Sequence, residues 1–392
     1  MWREMAKGLV LAAVLSGLCP STQANTTAAP IAQADLAMPP TELDPAPAKV
    51  RMALLLPLRS ETLGPAADAL RAGFMAAYAH EMEGVAINLI ETDDTAPGLI
   101  AGYADAAAHN DIVIGPLSRR GVTLIARGDV VRKPTIALTQ PDLAGEVELV
   151  LPPQLLIISL SIEDEARQIA TAAWADQKMP KALVVSTNVA WQRRAAKAFA
   201  AQWQRLGQEP QSIELGVIGG YLSGNSLEQL RKRIQNDRPG LVFVALDAAQ
   251  ARQLRSAIGN DIALYGTSQL NPLARPDWVG AEPIPELNGA QLLDIPWQLQ
   301  PDHPAVMIYP HPVSSAERKY SADLERLYAL GIDAYRVARE IAARHSNFDI
   351  DGVTGKLTIS FGTGPARFER IEQQAVYQDG AVVPLMSAER RQ

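Results

Sequence analysis

The sequence predicts an α/β chain of two doubly wound, three-layer lobes. Three observations carry this: strand and helix patterns alternate from about Val50, the strands are apolar on both faces, and the alternation runs through two series of similar size. Strands without a polar face belong to parallel sheets that helices cover on both sides. A chain of 392 residues, 47% hydrophobic and 20% charged, also exceeds what one compact core accommodates, so two domains are expected.

Ahead of the first series, Arg3 and Lys7 precede an apolar run from Gly8 to Leu18, and Thr22-Gln23-Ala24 supplies small residues for a cleavage site. This is the order of an export signal over residues 1–24, too short to span a bilayer. Cys19, the single cysteine, is either removed with the signal or carries a lipid; Ser16 and Leu18 fit a lipoprotein signal poorly. Residues 25–49 are rich in Pro, Ala and Thr and read as a disordered tether.

"VRMALLLPL" is the first strand, ended by Pro57, and "LGPAADALRAGFMAAYAHEM" is a helix with Leu70, Phe74 and Ala77 on one face. Strand "VAINLIETDD", a helix near Leu99 to His109, strand "DIVIG", a helix near Arg120 to Gly128 and strand "PTIAL" follow. The second series opens at Ser161, which with Asp164 resembles a capping box, on a helix reaching about Lys178. It continues through "ALVVST", Ala190 to Leu206, "QSIELGVI", Leu227 to Asn236, "GLVFVAL", Ala248 to Ile258 and "IALYGT". Ala316 to His345 has the period of one long helix, and "FDIDGVTGKLTIS" and "ARFERIEQQAVYQDGAVVPL" alternate as antiparallel hairpins do. The expected division is lobe 1 over 50–158, completed by about 295–346, and lobe 2 over 159–294, completed by about 347–387.

"MALLLPL", "DIVIGPLSRRG", "PTIALTQPD", "LYALGIDAYRVAREIA" and "GVTGKLTISFGTGPARFERIEQQAVYQDG" resemble the type I periplasmic binding proteins, the leucine-receptor-like fold. The resemblance implies two Rossmann-like lobes with an inter-lobe cleft. Within that superfamily "GPLSR", "ALTQPD", "SLSIEDEARQIA", "AFAAQWQRLG" and "RLYALGIDAYRVA" are similar, in order, to the penicillin-binding protein activators, the LpoA or LppC-like outer-membrane lipoproteins. Longer members carry a helical-repeat domain before this module; here only the Pro/Ala stretch stands there.

A solute receptor of this fold holds a carboxylate on hydroxyls and backbone amides at strand ends, and an ammonium on an acid. The family pattern places the carboxylate loop at Leu117, Ser118, Arg119 and Arg120 and its second half at Ala137, Leu138 and Thr139. In the second lobe it offers Asp247, Thr267, Ser268 and Gln269, without the amine-binding acid. An amino-acid site is therefore disfavoured, while Arg59 or Arg119 could hold a small anionic or cell-wall ligand. The competing role of Asp247 is a helix N-cap.

Enzyme signals are thin. His80, His109, His303, His311 and His345 lack metal-ligand spacing, and neither a G-x-S-x-G elbow nor a P-loop is present. "GTGPAR" lies in a hairpin region, outside the strand-to-helix context of a dinucleotide site, and Asp93-Asp94 reads as a turn. No cofactor is implied. A net charge of -7 argues against nucleic acid or anionic lipid as partner, leaving a lipid anchor as the one route to a membrane. The Pro-rich stretch from Asn271 to Pro312 carries Trp278, Trp297 and Tyr309, either anchors for a partner protein or aromatics tucked against the core.

The resemblance thus implies a non-enzymatic periplasmic regulator that binds and activates a peptidoglycan synthase, a bifunctional penicillin-binding protein. The alternative is a periplasmic solute receptor of an ABC transporter.

Overall fold

A computed structural model describes residues 49–142, 150–177, 181–272, 282–312 and 321–385, all within the unit Pro47–Gln392. The signal, Cys19 and nearly all of the expected tether lie outside the described residues.

The first series forms β1 (Val50–Leu56), α1 (Gly64–His80), β2 (Val85–Glu91), α2 (Ala96–His109), β3 (Ile112–Ile114), α3 (Arg119–Arg127), β4 (Thr135–Ala137) and β5 (Leu155–Ile157). Its sheet is parallel throughout, in the order β2-β1-β3-β4-β5. The apolar run of β1 is explained by its two faces. Met52, Leu54 and Leu56 enter one core with α1, while Ala53 and Leu55 enter another with Leu99, Tyr103 and Val122 of α2 and α3.

The second series forms α4 (Ile162–Gln177), β6 (Ala182–Ser186), α5 (Ala190–Arg205), β7 (Pro210–Glu214), the short hairpin β8 (Val217–Ile218) and β9 (Tyr221–Leu222), α6 (Gly224–Asp237), β10 (Leu241–Val244), α7 (Ala248–Ile258) and β11 (Ala263–Gly266). Ser161 caps α4 as expected, accepting from the Asp164 N–H at 3.1 Å; the Asp164 carboxylate pairs with Arg167. "QSIELGVI" does not stay one strand: it ends at Glu214, and Val217 and Ile218 pair with Tyr221 and Leu222.

The rest of the chain serves both lobes through β12 (Gln291–Asp294), α8 (Pro296–Leu299), α9 (Pro304–Met307), α10 (Ala322–Ala342), β13 (Asn347–Gly352), β14 (Gly355–Ser360), β15 (Arg367–Ile371), β16 (Gln373–Gln378) and β17 (Ala381–Pro384). The second sheet runs β17-β16-β12-β11-β10-β6-β7, parallel from β7 to β12 and antiparallel at β16 and β17. Within each lobe the five parallel strands, counted along the chain, lie in the order 2-1-3-4-5, so the lobes share one topology.

Two differences from the sequence reading have physical causes. The long helix begins at Ala322, where Ser321 accepts the Leu324 N–H at 3.3 Å and caps it. Residues 347–387 were expected to complete the second lobe, but only β16 and β17 extend that sheet. The β13–β15 sheet sends Ile350, Leu357 and Ile359 into the first-lobe core, beside α1 and α10. Those helices cross backbone to backbone at two glycines. A Cβ at Gly73 would lie 1.8 Å from the Tyr328 carbonyl oxygen, and one at Gly331 2.1 Å from that of Leu70.

Candidate functional site

In open α/β sheets ligands bind beyond the carboxyl ends of the strands, where the strand order reverses. In the first lobe that place lies between β1 and β3. Gly115, at φ +127°, lets the loop after β3 lie on β1: a Cβ there would sit 2.2 Å from the Leu55 carbonyl oxygen. Ser118 then spends its hydroxyl on capping α3, accepting from the Gly121 N–H at 3.1 Å. Thr95 caps α2 in the same way at 3.1 Å and donates its hydroxyl to Asp93 at 2.7 Å. That hydroxyl, helped by the Thr95 N–H, holds the Asp93 carboxyl below the usual carboxylate range. Asp94 accepts from Ser60 at 2.9 Å, so the acidic pair is a turn device. The cavity left between Leu55, Thr92, Ser118 and Leu124 is about 10 Å³, space for one water.

Of the other expected ligand residues, Arg119, Asp247 and Ser268 are engaged. Arg119 donates to the Pro141 carbonyl at 3.2 Å and lies 3.6 Å from Glu163 on α4, which Arg194 of α5 meets at 2.7 Å. This Arg119-Glu163-Arg194 group links α3 of the first lobe to α4 and α5 of the second. Arg59 is exposed and Thr139 is half-buried at the end of β4. Asp247 is the N-cap of α7, accepting from the Gln250 N–H at 2.8 Å. Thr267 is fully buried, and Ser268 donates its N–H and hydroxyl to Glu165 at 2.8 and 3.1 Å.

The aromatic anchors need correction. Trp297 is 2% exposed and Tyr309 8% exposed, both in the first-lobe core, where Trp297 packs on Tyr328 and Tyr309 on His80. Prolines at 296 and 304 start α8 and α9, and these turn the aromatics inward. Trp278 lies outside the described residues.

A group that sequence reasoning missed sits where the chain passes between lobes. Asp294, at the end of β12, accepts from Arg326 Nε at 3.0 Å and Nη2 at 2.7 Å, from Asn271 at 2.8 Å and from the Ile295 N–H at 2.8 Å. Burial works against the Arg326 charge, yet Asp294, with Asp323 and Glu165, holds the guanidinium above its ordinary range. Glu165 is pushed up to about 7 by burial and by the nearby Asp294 charge, against the opposing Ser268 hydrogen bonds. Arg370 and Glu372, on either side of the step from β15 to β16, are buried as well. Phe368, Arg370 and Glu372 alternate along the chain, so charges at core-facing positions of a strand pattern were the available signal.

Among the described residues no group of three or more His, Cys, Asp or Glu is placed to hold a metal ion. Nor is any helix among them long and apolar enough to cross a membrane.

Comparison with known proteins adds to this geometry. Residues 46–380 match the family described as LppC putative lipoprotein. The chain is 28% identical over 320 residues to a protein named penicillin-binding protein activator LpoA from Edwardsiella ictaluri, covering 70% of this chain and 43% of that one. A protein of the same name from Yersinia pseudotuberculosis is 29% identical over 323 residues, covering 70% and 46%. The chain thus spans less than half the length of these relatives. Among solved structures, the LpoA C-domain from Haemophilus influenzae, described as a regulator of PBP1A, superposes with a TM-score of 0.67 at 22% identity, covering 86% of this chain and all of that one. A putative branched-chain amino acid ABC transporter protein from Chromobacterium violaceum gives a TM-score of 0.65 at 35% identity, covering 84% and 100%. The fold is that of the type I periplasmic binding proteins.

Proposed function

The chain belongs to the LppC family of putative lipoproteins, and from that membership we propose that it is a periplasmic, non-enzymatic regulator that binds and activates a penicillin-binding protein of the peptidoglycan synthase class. The observation that carries this reading is the state of the strand ends. A fold that elsewhere receives solutes has there a cavity of about 10 Å³, and Ser118, Thr95, Asp247 and Ser268 spend hydrogen bonds on caps and on Glu165. A receptor needs convergent polar groups that are still unspent. A protein partner needs only a surface.

Activation then requires that the chain bind the active state of the synthase more tightly than the inactive one. Docking shifts the synthase toward its active state by the difference in affinity for its two states, and a partner that binds both equally changes nothing. The test is affinity capture of detergent-solubilised envelope proteins on the immobilised full chain. Recovery of a bifunctional penicillin-binding protein is expected. Failure of the purified pair to associate would remove the reading.

Export would place the chain in the periplasm, with outer-membrane attachment if Cys19 is acylated. Intact mass of the exported protein separates a start at Asn25 from one at lipidated Cys19.

The second reading, a solute receptor, is favoured by the 35% identity to the protein named as a branched-chain amino acid transporter component. It predicts stabilisation by leucine, isoleucine or valine of about 2.7 kcal/mol at a hundredfold excess over Kd. No change in the unfolding transition with these ligands is the outcome expected here.

A further inference from the structure

Each large sheet ends on the second strand of its series, β2 in the first lobe and β7 in the second. Among the described residues β2 pairs only with β1, and β7 only with β6. An edge strand presents backbone N–H and C=O groups that a further strand can join, and proteins commonly block such edges with Pro, charge or brevity.

Which groups face outward follows from the ends of each ladder. The Val50 N–H donates to the Gly84 carbonyl at 2.9 Å, and the Thr92 N–H to the Leu56 carbonyl at 2.9 Å. The N–H and C=O of one residue leave a strand on the same side, and successive residues alternate. The even-numbered residues from Gly84 to Thr92 therefore serve β1, while Ile87, Leu89 and Glu91 turn both groups outward. On β7 the Leu215 N–H donates to the Ser186 carbonyl at 2.8 Å, so the outward positions are Pro210, Ser212 and Glu214.

The two edges, equivalent in topology, are built differently. On β7, five residues long, Pro210 has no N–H to offer, and Gln211, Ser212 and Glu214 are exposed polar side chains. The opposite ends of the sheets are short, β5 with three residues and β17 with four, closing on Pro384. β2 has seven residues, VAINLIE, with no Pro, Lys or Arg. Val85 and Ile87 enter the core with α1, and the same face ends on Leu89, which is 39% exposed. Exposed Met82 stands at the start of the strand, accepting from the Val85 N–H, and exposed Glu83 and Glu91 mark its two ends.

We propose that β2 is a docking edge that takes up, as an added strand, an extended segment of the synthase, apolar at alternate positions and basic at its ends. This rests on the regulatory reading and names the surface it uses. Main-chain hydrogen bonds to Ile87, Leu89 and Glu91 supply affinity, and side chains over Ile87 and Leu89 supply selectivity. Basic ends match Glu83 and Glu91. A second copy of this chain fits worse: β2 paired antiparallel with itself about Asn88 sets Val85 against Glu91 and Glu83 against Asp93, acid against acid.

Hydrogen exchange of backbone amides in the full chain, alone and with a purified bifunctional penicillin-binding protein, tests this. Alone, the Ile87, Leu89 and Glu91 amides are expected to exchange at least ~10-fold faster than those of Asn88 and Ile90. In the complex they slow at least ~10-fold, whereas Ser212 and Glu214 do not change. Leu89→Pro removes an outward donor, leaves the β1 ladder whole and weakens association at least ~10-fold. Leu89→Lys, a milder change at an exposed position, weakens it too. Ser212→Pro, at the equivalent outward place on β7, leaves the affinity unchanged. Glu83→Lys combined with Glu91→Lys weakens association at least ~3-fold. Association that leaves the β2 amides unprotected, or that Leu89→Pro and Ser212→Pro weaken alike, overturns the docking edge and leaves the regulatory reading standing. No association of the pair removes both.

Discussion

The strand ends of the first lobe and the crossings between the lobes are both polar, but they treat polar groups in opposite ways. At the strand ends Ser118 and Thr95 turn their hydroxyls onto helix N-termini, Asp93 and Asp94 onto turns, and what remains is about 10 Å³. At the crossings Arg326 and Asp294 satisfy each other, while Arg370 Nη2 and Glu372 Oε2 are buried without a hydrogen-bond partner among the described residues. Residue types suited to a ligand are therefore a weaker guide than the hydrogen bonds they have left. The strand ends expected to recognise a solute spend Ser118, Thr95 and Asp247 on caps, and buried charges gather where the chain passes between the lobes.

Breaking the buried pairing there should cost most. Asp294→Ala strands the Arg326 guanidinium in the interior and is expected to lower stability by ~3–5 kcal/mol in denaturant unfolding. Replacing Asp294 and Arg326 together with apolar residues of similar volume is expected to cost far less, because no uncompensated charge remains.

The Glu165 carboxyl provides a pH test of the same region. Its folded value of about 7 lies above its ordinary 4.5, so folding takes up a proton between the two. That stabilisation is complete below pH 4.5 and is lost as pH rises through about 7. In Glu165→Gln the side chain is neutral throughout. The stability difference between the variant and the parent should therefore shift in the variant's favour by ~3 kcal/mol between about pH 4 and pH 8. A pH-independent difference would mean that Glu165 titrates as a solvated acid.

The smallest effect belongs to the cleft. Arg119 is 34% exposed and 3.6 Å from Glu163, so Arg119→Ala is expected to cost under ~1 kcal/mol in the same unfolding measurement. A larger loss than from Asp294→Ala would reverse the comparison between the two regions.

Much of the scaffold was legible because burial on both faces leaves a mark that needs no partner sequence. β1 and β10 are continuous apolar runs, and α1 shows its buried Leu70, Phe74 and Ala77 in its period. β12 was not legible, being four residues between a Pro-rich stretch and Pro296, too short for a period to show. Trp297 and Tyr309 read equally as partner anchors or as core aromatics in a Pro-rich stretch, and their burial in the first core decides for the second. Asp247 and Ser118 were legible as caps and as ligands alike, and only the Gln250 and Gly121 amides decide between the roles. The buried charges between the lobes depend on residues far apart in the chain: Glu165, Asp294, Arg326 and Glu372 meet only after both lobes are folded.

In the proposed function the chain regulates a synthase through contact rather than through a ligand or chemistry of its own. Glycan polymerisation by a purified bifunctional penicillin-binding protein, followed while the full chain is titrated in without added small molecules, tests it most directly. A saturable rise in rate at the concentration where the two proteins associate is predicted. Association with an unchanged rate, or a rate that rises only when an amino acid is supplied, would contradict it.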